Sequence, residues 1–135
     1  MDRHQFGFEP FRIGELRVEP SGNRLKRDGN WIRLEPMVMR VLVYLCRFHG
    51  EVVTKEQILV SVWENRNVGE EVLTRSISAL RKALGDSSKE PQMIETVYKT
   101  GYRFLATPSL IDDLEPLTVP DAYPVSASPK KKQRK

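Results

Sequence analysis

The sequence predicts an α+β fold in which a small antiparallel sheet comes first, three helices follow, and a β-hairpin ends the folded part. Three observations carry this prediction. Apolar side chains alternate with polar ones over the first third of the chain, recur at helical spacing through the middle, and alternate again over about 93–105. A chain of 135 residues has room for one such domain and a tail.

The first third of the chain contains short strand patterns. Alternation over 11–18 predicts one half-buried strand. Two further short strands are predicted, one around Leu25 and one over 31–34. Asp28 and Gly29 lie between them and predict a tight hairpin, because both residues tolerate the positive φ that such turns require.

Two helices are predicted in the middle of the chain. Pro36 opens the first, since proline at the first helical position loses no hydrogen bond, and Gly50 is placed to end it. Thr54 and Gln57 form a capping-box pattern that opens the second helix.

A third helix is predicted over about 69–84, and Gly85 ends it. Its buried side is an apolar stripe at spacings of four, three and four, formed by Leu73, Ile77, Leu80 and Leu84. Helical geometry turns the opposite face outward, which consists of Thr74, Arg75, Ser78, Ala79 and Lys82. Such side chains suit base edges in a DNA major groove. Arginine can donate two hydrogen bonds to one guanine, and small residues let the helix approach the bases closely. A solvated amphipathic helix with incidental cations is the alternative.

A terminal hairpin follows the third helix. Gly101 is predicted at its bend, where the absence of a Cβ lets the chain reverse. Lys99 lies at the tip of the hairpin. Lysine is also common on exposed turns that have no special role, which is the alternative interpretation. The combination of sheet, helix and hairpin, rather than the lysine alone, favours nucleic acid as a partner.

Charge and composition limit the kinds of partner, site and cellular location that the chain can have. The formal net charge of +4 and a pI near 9.3 favour a polyanionic partner. Cys46 is the single cysteine, so no disulfide forms within the chain. No apolar run reaches the ~20 residues that span a bilayer. No metal-ligand spacing and no phosphate-binding glycine loop is present, so we expect no catalysis, no metal and no cofactor.

The composition changes after residue 107. We therefore predict a domain over 1–107 and a flexible, proline-rich linker over 108–135, which ends in a basic cluster at 130–135. A cluster of cations of this kind is expected next to a membrane span on its cytoplasmic side. A solvated charge run and a nuclear-import-like signal are the alternatives.

Several separated blocks of the sequence, in the same order, resemble the winged helix-turn-helix domain of OmpR/PhoB-type regulators, and within that family the ToxR-like, CadC-type branch. The blocks are Leu34-Glu35-Pro36, residues 50–59, Val62-Trp63, residues 76–85, residues 94–97 and residues 101–104. Together they cover nearly all of the chain from Phe11 to Leu105.

The resemblance implies a bacterial transcriptional regulator that binds double-stranded promoter DNA sequence-specifically, with the helix of about 69–84 in the major groove and the wing of about 98–101 on the flanking backbone or minor groove. It assigns base contacts to the outward face of the third helix and a position near the DNA backbone to Arg81. It places Lys99 and Thr100 at the tip of the wing. It assigns contact with RNA polymerase to a loop formed by Glu64, Asn65, Arg66, Asn67 and Val68.

The resemblance also implies the cytoplasmic domain of a one-component sensor that is anchored in the inner membrane by a single span, and weak pairing or tandem binding on DNA. The chain departs from its relatives at Tyr98, where they often carry proline or arginine, so the wing contact rests on Lys99. A winged-helix module that binds protein partners without DNA is the alternative function.

Overall fold

The computed structural model describes residues 9–64 and 68–111, and within these ranges it confirms the predicted order of sheet, helices and hairpin. The elements are β1 (Phe11–Ile13), β2 (Leu16–Glu19), β3 (Arg24–Arg27), β4 (Asn30–Arg33), α1 (Pro36–Arg47), β5 (Val52–Thr54), α2 (Lys55–Trp63), α3 (Glu70–Leu84), β6 (Ile94–Val97), β7 (Gly101–Phe104) and β8 (Pro108–Leu110).

The N-terminal sheet has five antiparallel strands in the order β4-β3-β2-β1-β8. The single strand predicted over 11–18 is wrong, because this segment is a hairpin in which Phe11 pairs with Val18. The turn contains Gly14 at φ +59°. The apolar alternation shifts phase between Ile13 and Leu16, and that shift marks the turn.

Strand β8 extends the folded part past the boundary predicted at residue 107. It pairs with β1 at the edge of the sheet, and Pro108 is buried there. An edge strand tolerates proline, which has no N–H to donate to a ladder. The prolines that indicated a linker therefore begin inside the sheet. The basic cluster at 130–135 lies outside the described residues.

A second sheet, in the order β5-β7-β6, contains the predicted hairpin and a strand that the sequence did not predict. The role predicted for Gly101 is wrong. Gly101 lies within β7, and the positive φ of the turn belongs to Lys99, at +59°. A Cβ added to Gly101 would overlap the carbonyl oxygen of Val53 in β5. Glycine is required here for the close approach of two backbones.

The helix caps largely follow the sequence. Pro36 occupies the first turn of α1. Helix α1 ends at Arg47, before Gly50, although Gly50 adopts φ +84° in the turn that follows. The capping box of α2 is confirmed, since Thr54 Oγ1 accepts from the Gln57 amide at 3.0 Å and Gln57 Oε1 accepts from the Thr54 amide at 2.7 Å.

The core is centred on α1, which packs against α2, α3 and β7. Val41, Leu42 and Cys46 have no exposed surface. Burial raises the pKa of the Cys46 thiol well above its ordinary value. None of the three helices in the described ranges has the length and apolarity that a membrane crossing requires.

We expect Gly101→Ala to destabilise the fold by about 3 kcal/mol, because the new methyl group meets backbone rather than a movable side chain. Gly22→Ala is the matched control, since a Cβ there lies 3.5 Å from its nearest neighbour, the flexible Arg24 side chain. Urea unfolding of both variants measures the difference. Equal stability of the two would show that β5 and β7 do not approach as closely as described.

Candidate nucleic-acid interface

Helix α3 separates its side chains into two faces. Its buried face contains the predicted stripe, Leu73, Ile77, Leu80 and Leu84, none of which exposes more than 4% of its surface. Ser76 is buried beside the stripe. The opposite face brings together the predicted outward residues Thr74, Arg75, Ser78, Ala79 and Lys82, all of them exposed. This exposed ridge is therefore narrow, carries two cations and lacks bulky apolar side chains.

The C-terminal end of α3 is fixed by a left-handed glycine and by an arginine from the sheet. Gly85 has φ +75°, and the Asp86 amide donates to the carbonyl of Arg81 at 2.8 Å. Arg27 Nη1 donates to the carbonyls of Lys82 and Ala83 at 3.1 and 2.9 Å. A guanidinium at this position also complements the negative end of the helix dipole. Strand β3 thus holds the end of α3.

The loop between α3 and β6 is organised by Asp86. Its carboxylate accepts from the backbone amides of Gln92, Met93 and Ile94 at 2.7, 3.2 and 2.9 Å. Burial acts to raise the pKa of Asp86, but the amide donors act to lower it, and the pKa lies below its ordinary value of 3.8. The ionised carboxylate thus fixes the distance between the helix and the hairpin.

Arg81 connects α3 to the hairpin strand β6. Its Nη2 atom donates to the carbonyl of Ile94 and to Thr96 Oγ1, both at 2.8 Å, and the side chain is half-buried. Arg81 Nε is buried without a hydrogen-bond partner in the described part of the chain. The structure therefore turns Arg81 toward the hairpin, away from the exposed ridge.

The hairpin tip consists of Tyr98, Lys99 and Thr100, all exposed. The Thr100 amide closes the turn on the Val97 carbonyl at 2.9 Å, and the Thr100 carbonyl accepts from the Lys55 amide at 3.1 Å. Lys99 Nζ lies 5.4 Å from the centre of the Tyr98 ring, within the range of a cation–π contact. Tyr98 itself is 81% exposed, so the tip offers an aromatic ring as well as a cation.

A groove of about 690 Å³ runs between β4, the start of α1, and α3. Ile32, Leu34 and Val38 contribute apolar wall, while cations from both sides contribute to its rim. The cationic residues are Arg27, Arg33, Arg75 and Lys82. Arg33 and Arg27 were not predicted as site residues. Strand alternation could have indicated that Arg33 is exposed, but no local pattern brings it next to α3.

The loop predicted to contact polymerase is only partly described. Asn65, Arg66 and Asn67 lie outside the described residues. Glu64 ends α2 with φ +52° and accepts from Arg40 Nη2 at 2.8 Å. Val68 is partly buried against the core. Both ends of the loop are therefore held by the domain. Within the described ranges, no group of His, Cys, Asp and Glu could hold a metal ion.

Comparison with known proteins identifies related sequences. The family model described as "Transcriptional regulatory protein, C terminal" matches residues 29–104. The transcriptional activator CadC of Escherichia coli is 35% identical over 127 residues, which cover 87% of this chain and 25% of CadC. The transcriptional regulator HilA of Salmonella typhimurium is 44% identical over 103 residues, which cover 72% of this chain and 18% of HilA. The chain thus spans a quarter or less of the length of these two transcriptional regulators.

The fold also matches a solved structure. The DNA-binding domain of E. coli CadC superimposes with a TM-score of 0.68 and 34% sequence identity, covering 78% of this chain and 100% of that domain. The described sheets, helices and hairpin therefore form the winged helix-turn-helix architecture of a regulator's DNA-binding domain.

We expect Asp86→Asn to lower stability at pH 7 by about 1 kcal/mol, because the amide side chain retains one acceptor oxygen of two and loses the charge. A depressed pKa in the folded state means that the carboxylate stabilises the fold above its ordinary pKa. This stabilisation is lost as the pH falls through the lowered pKa, so the difference between the two proteins should shrink below about pH 3.8.

Thermal unfolding across this pH range measures the effect. Asp28→Asn is the matched control, because Asp28 lies in an exposed turn at φ +53°, which asparagine also tolerates. A stability difference for Asp86→Asn that does not change with pH would contradict the role given to its charge.

We expect Arg81→Gln to raise hydrogen exchange of the β6 amides about tenfold, because two hydrogen bonds from a charged donor are lost. Lys82→Gln is the control on the next residue, whose side chain is exposed. It should leave exchange in β6 unchanged. Similar exchange in both variants would show that Arg81 does not hold the hairpin.

Proposed function

Because the chain belongs to the OmpR/PhoB-type family of winged helix-turn-helix DNA-binding domains of transcriptional regulators, we propose that it binds double-stranded promoter DNA sequence-specifically through the exposed ridge of α3. The observation that carries this proposal is the ridge itself, where Thr74, Arg75, Ser78, Ala79 and Lys82 are exposed together on a helix whose other face is buried. The chemistry of the ridge supports contact with base edges.

The ridge suits a major groove for steric and chemical reasons. An α-helix fills the groove closely, so small residues such as Ser78 and Ala79 allow its backbone to approach the bases. Arg75 can donate two hydrogen bonds to one guanine, and a good bidentate pair contributes about 1–3 kcal/mol of discrimination between bases. We assign sequence preference mainly to Arg75, and assign Thr74 and Lys82 to adjacent bases or phosphates.

Acidic residues near the start of α3 do not prevent this arrangement. Glu70 and Glu71 are exposed in its first turn, where they complement the helix dipole. Lys55 Nζ lies 3.4 Å from Glu70 Oε1, which offsets part of the negative charge at this end of the helix, and we infer that neither glutamate lies against the DNA backbone. An exposed pair of this kind contributes little stability, so its effect is on the local charge.

The hairpin is the wing in this proposal. Lys99 and Thr100 at its tip would contact the flanking backbone or minor groove, with the exposed Tyr98 ring beside them. The Arg81 contacts to β6 set the position of the wing relative to α3. Arg81 would therefore act on DNA binding by positioning the wing.

The rest of the protein is proposed from composition and from the resemblance. We assign the residues after β8 to a linker, and the whole protein to a one-component sensor with this domain in the cytoplasm and a single span in the inner membrane. The basic cluster at 130–135 supports this arrangement. The loop over 64–68 would approach RNA polymerase, and two copies would pair on tandem half-sites. An apolar run of ~20 residues encoded after Lys135 is the test.

One observation favours a different function. The groove beside α3 has an apolar wall, as a surface for a protein partner would. Salt dependence separates the two functions, because each phosphate contact releases counterions and makes DNA affinity fall steeply as salt rises.

We expect Arg75→Ala to reduce the preference for a promoter fragment over a scrambled duplex by about tenfold or more. Lys99→Ala should weaken binding to both duplexes alike and lower the salt slope by about one. Lys26→Ala is the matched control, since Lys26 is an exposed cation of β3 away from the ridge. Titration at two salt concentrations measures all three. Equal binding by every variant would remove the ridge and wing from the site.

A further inference from the structure

The outer face of the N-terminal sheet carries a cluster of charges that the proposed DNA contact does not use. Strand pairing aligns Arg12, Arg17, Lys26 and Trp31 in one row across β1 to β4, and Glu19, Arg24 and Arg33 in the next. Cross-strand partners point to the same side of a sheet. The residues between them, Phe11, Val18 and Leu25, have no exposed surface. We call the seven outward residues the basic sheet face, and it points away from the core. Arg33, the last residue of β4, also lies at the rim of the groove beside α3.

Most of this positive charge is not neutralised. Glu19 is the single anion of the face, and it already accepts from Arg17 Nε and Arg24 Nη2, both at 2.9 Å. Arg12, Lys26 and Arg33 make no salt bridge within the described residues. Five cations and one anion leave four net positive charges here, as many as the formal net charge of the whole chain. The face is therefore a strongly basic surface.

Trp31 adds an apolar ring to this surface. Its side chain is 42% exposed, whereas the other tryptophan, Trp63, is 5% exposed. The guanidinium carbon of Arg24 lies 4.0 Å from the centre of the Trp31 ring, and Lys26 Nζ lies 5.6 Å from it. An exposed indole surrounded by cations is the composition found where proteins meet the interface of a bilayer.

We propose that the basic sheet face is a docking surface for a bilayer rich in anionic phospholipid headgroups. Four strands at a spacing of ~4.8 Å form a broad surface, and a plane of headgroups meets both rows of cations at once. A DNA duplex is a cylinder that would meet fewer of them at once, and its paired bases are stacked, whereas the interfacial region of a bilayer accepts an indole ring without unstacking. The proposal goes beyond DNA binding and requires neither that function nor a membrane anchor.

The expected strength follows from the charges. Each Lys or Arg near an anionic surface contributes about a fivefold increase in partitioning. The attraction extends over about a Debye length, so it should weaken as salt rises. Trp31 would enter the interfacial region and become shielded from water, while the buried Trp63 would not change its environment.

The test uses the whole chain with vesicles of phosphatidylcholine alone and vesicles that also contain phosphatidylglycerol. We expect only the anionic vesicles to protect Trp31 from a water-soluble fluorescence quencher. Trp31→Phe should remove the signal. The double variant Arg12→Gln and Lys26→Gln should weaken binding to anionic vesicles about 30-fold. Arg75→Gln is the control, because it removes a cation of the DNA ridge and should leave vesicle binding unchanged.

The basic cluster at the end of the chain needs its own control. Lys130→Gln, Lys131→Gln and Lys132→Gln together should leave the protection of Trp31 in place. Absence of protection by anionic vesicles would overturn the proposal, as would binding that depends on the end of the chain and not on Arg12 and Lys26. Protection of Trp31 by duplex or single-stranded DNA instead of vesicles would make this face a nucleic-acid surface.

The two proposals fail separately. The Arg12→Gln and Lys26→Gln variant should keep its promoter preference, which also shows that it folds. If the natural chain did not bind anionic vesicles, the proposal of DNA recognition would be unaffected. If it did not recognise promoter DNA, the proposal of vesicle binding would be unaffected.

Discussion

The burial of one side of α3 against the core is the constraint on which the interface depends. Leu73, Ile77 and Leu80 expose at most 1% of their surface, and each contributes about 1.5–3 kcal/mol by leaving water. Successive residues of a helix are rotated by about 100°, so turning α3 by one position in the direction that buries Arg75 would expose this stripe. The packing of apolar side chains thus decides which polar residues face solvent.

Three polar side chains then fix α3 relative to its neighbours. Arg27 holds the end of the helix from β3, Arg81 reaches the hairpin strand β6, and Asp86 organises the loop between α3 and β6. Each satisfies backbone groups that would otherwise lack partners at an element's end. Because these contacts join both sheets to one helix, they set the position of the hairpin tip relative to the ridge.

Two surfaces of the domain carry clusters of positive charge. One consists of the α3 ridge and hairpin tip, where cations stand among small residues that permit close approach. The other is the basic sheet face, where cations surround the exposed Trp31 ring. The surfaces differ in shape as well as composition, because a helix presents a narrow ridge and a sheet presents a broad plane. A small domain can therefore face two polyanions without using one residue for both.

The sequence alone determined the features that neighbouring residues encode: the faces of α3, the capping box of Thr54, the turn at 28–29 and the glycine that ends α3. Periodicity and capping depend on residues a few positions apart. Tertiary structure alone decided that β8 is added to the N-terminal sheet and β5 to the second sheet. It also decided that Gly101 serves a close backbone approach and that Arg81 faces the hairpin. These features depend on partners far away in the chain, whose positions are set only when the core packs, so no local pattern could reveal them.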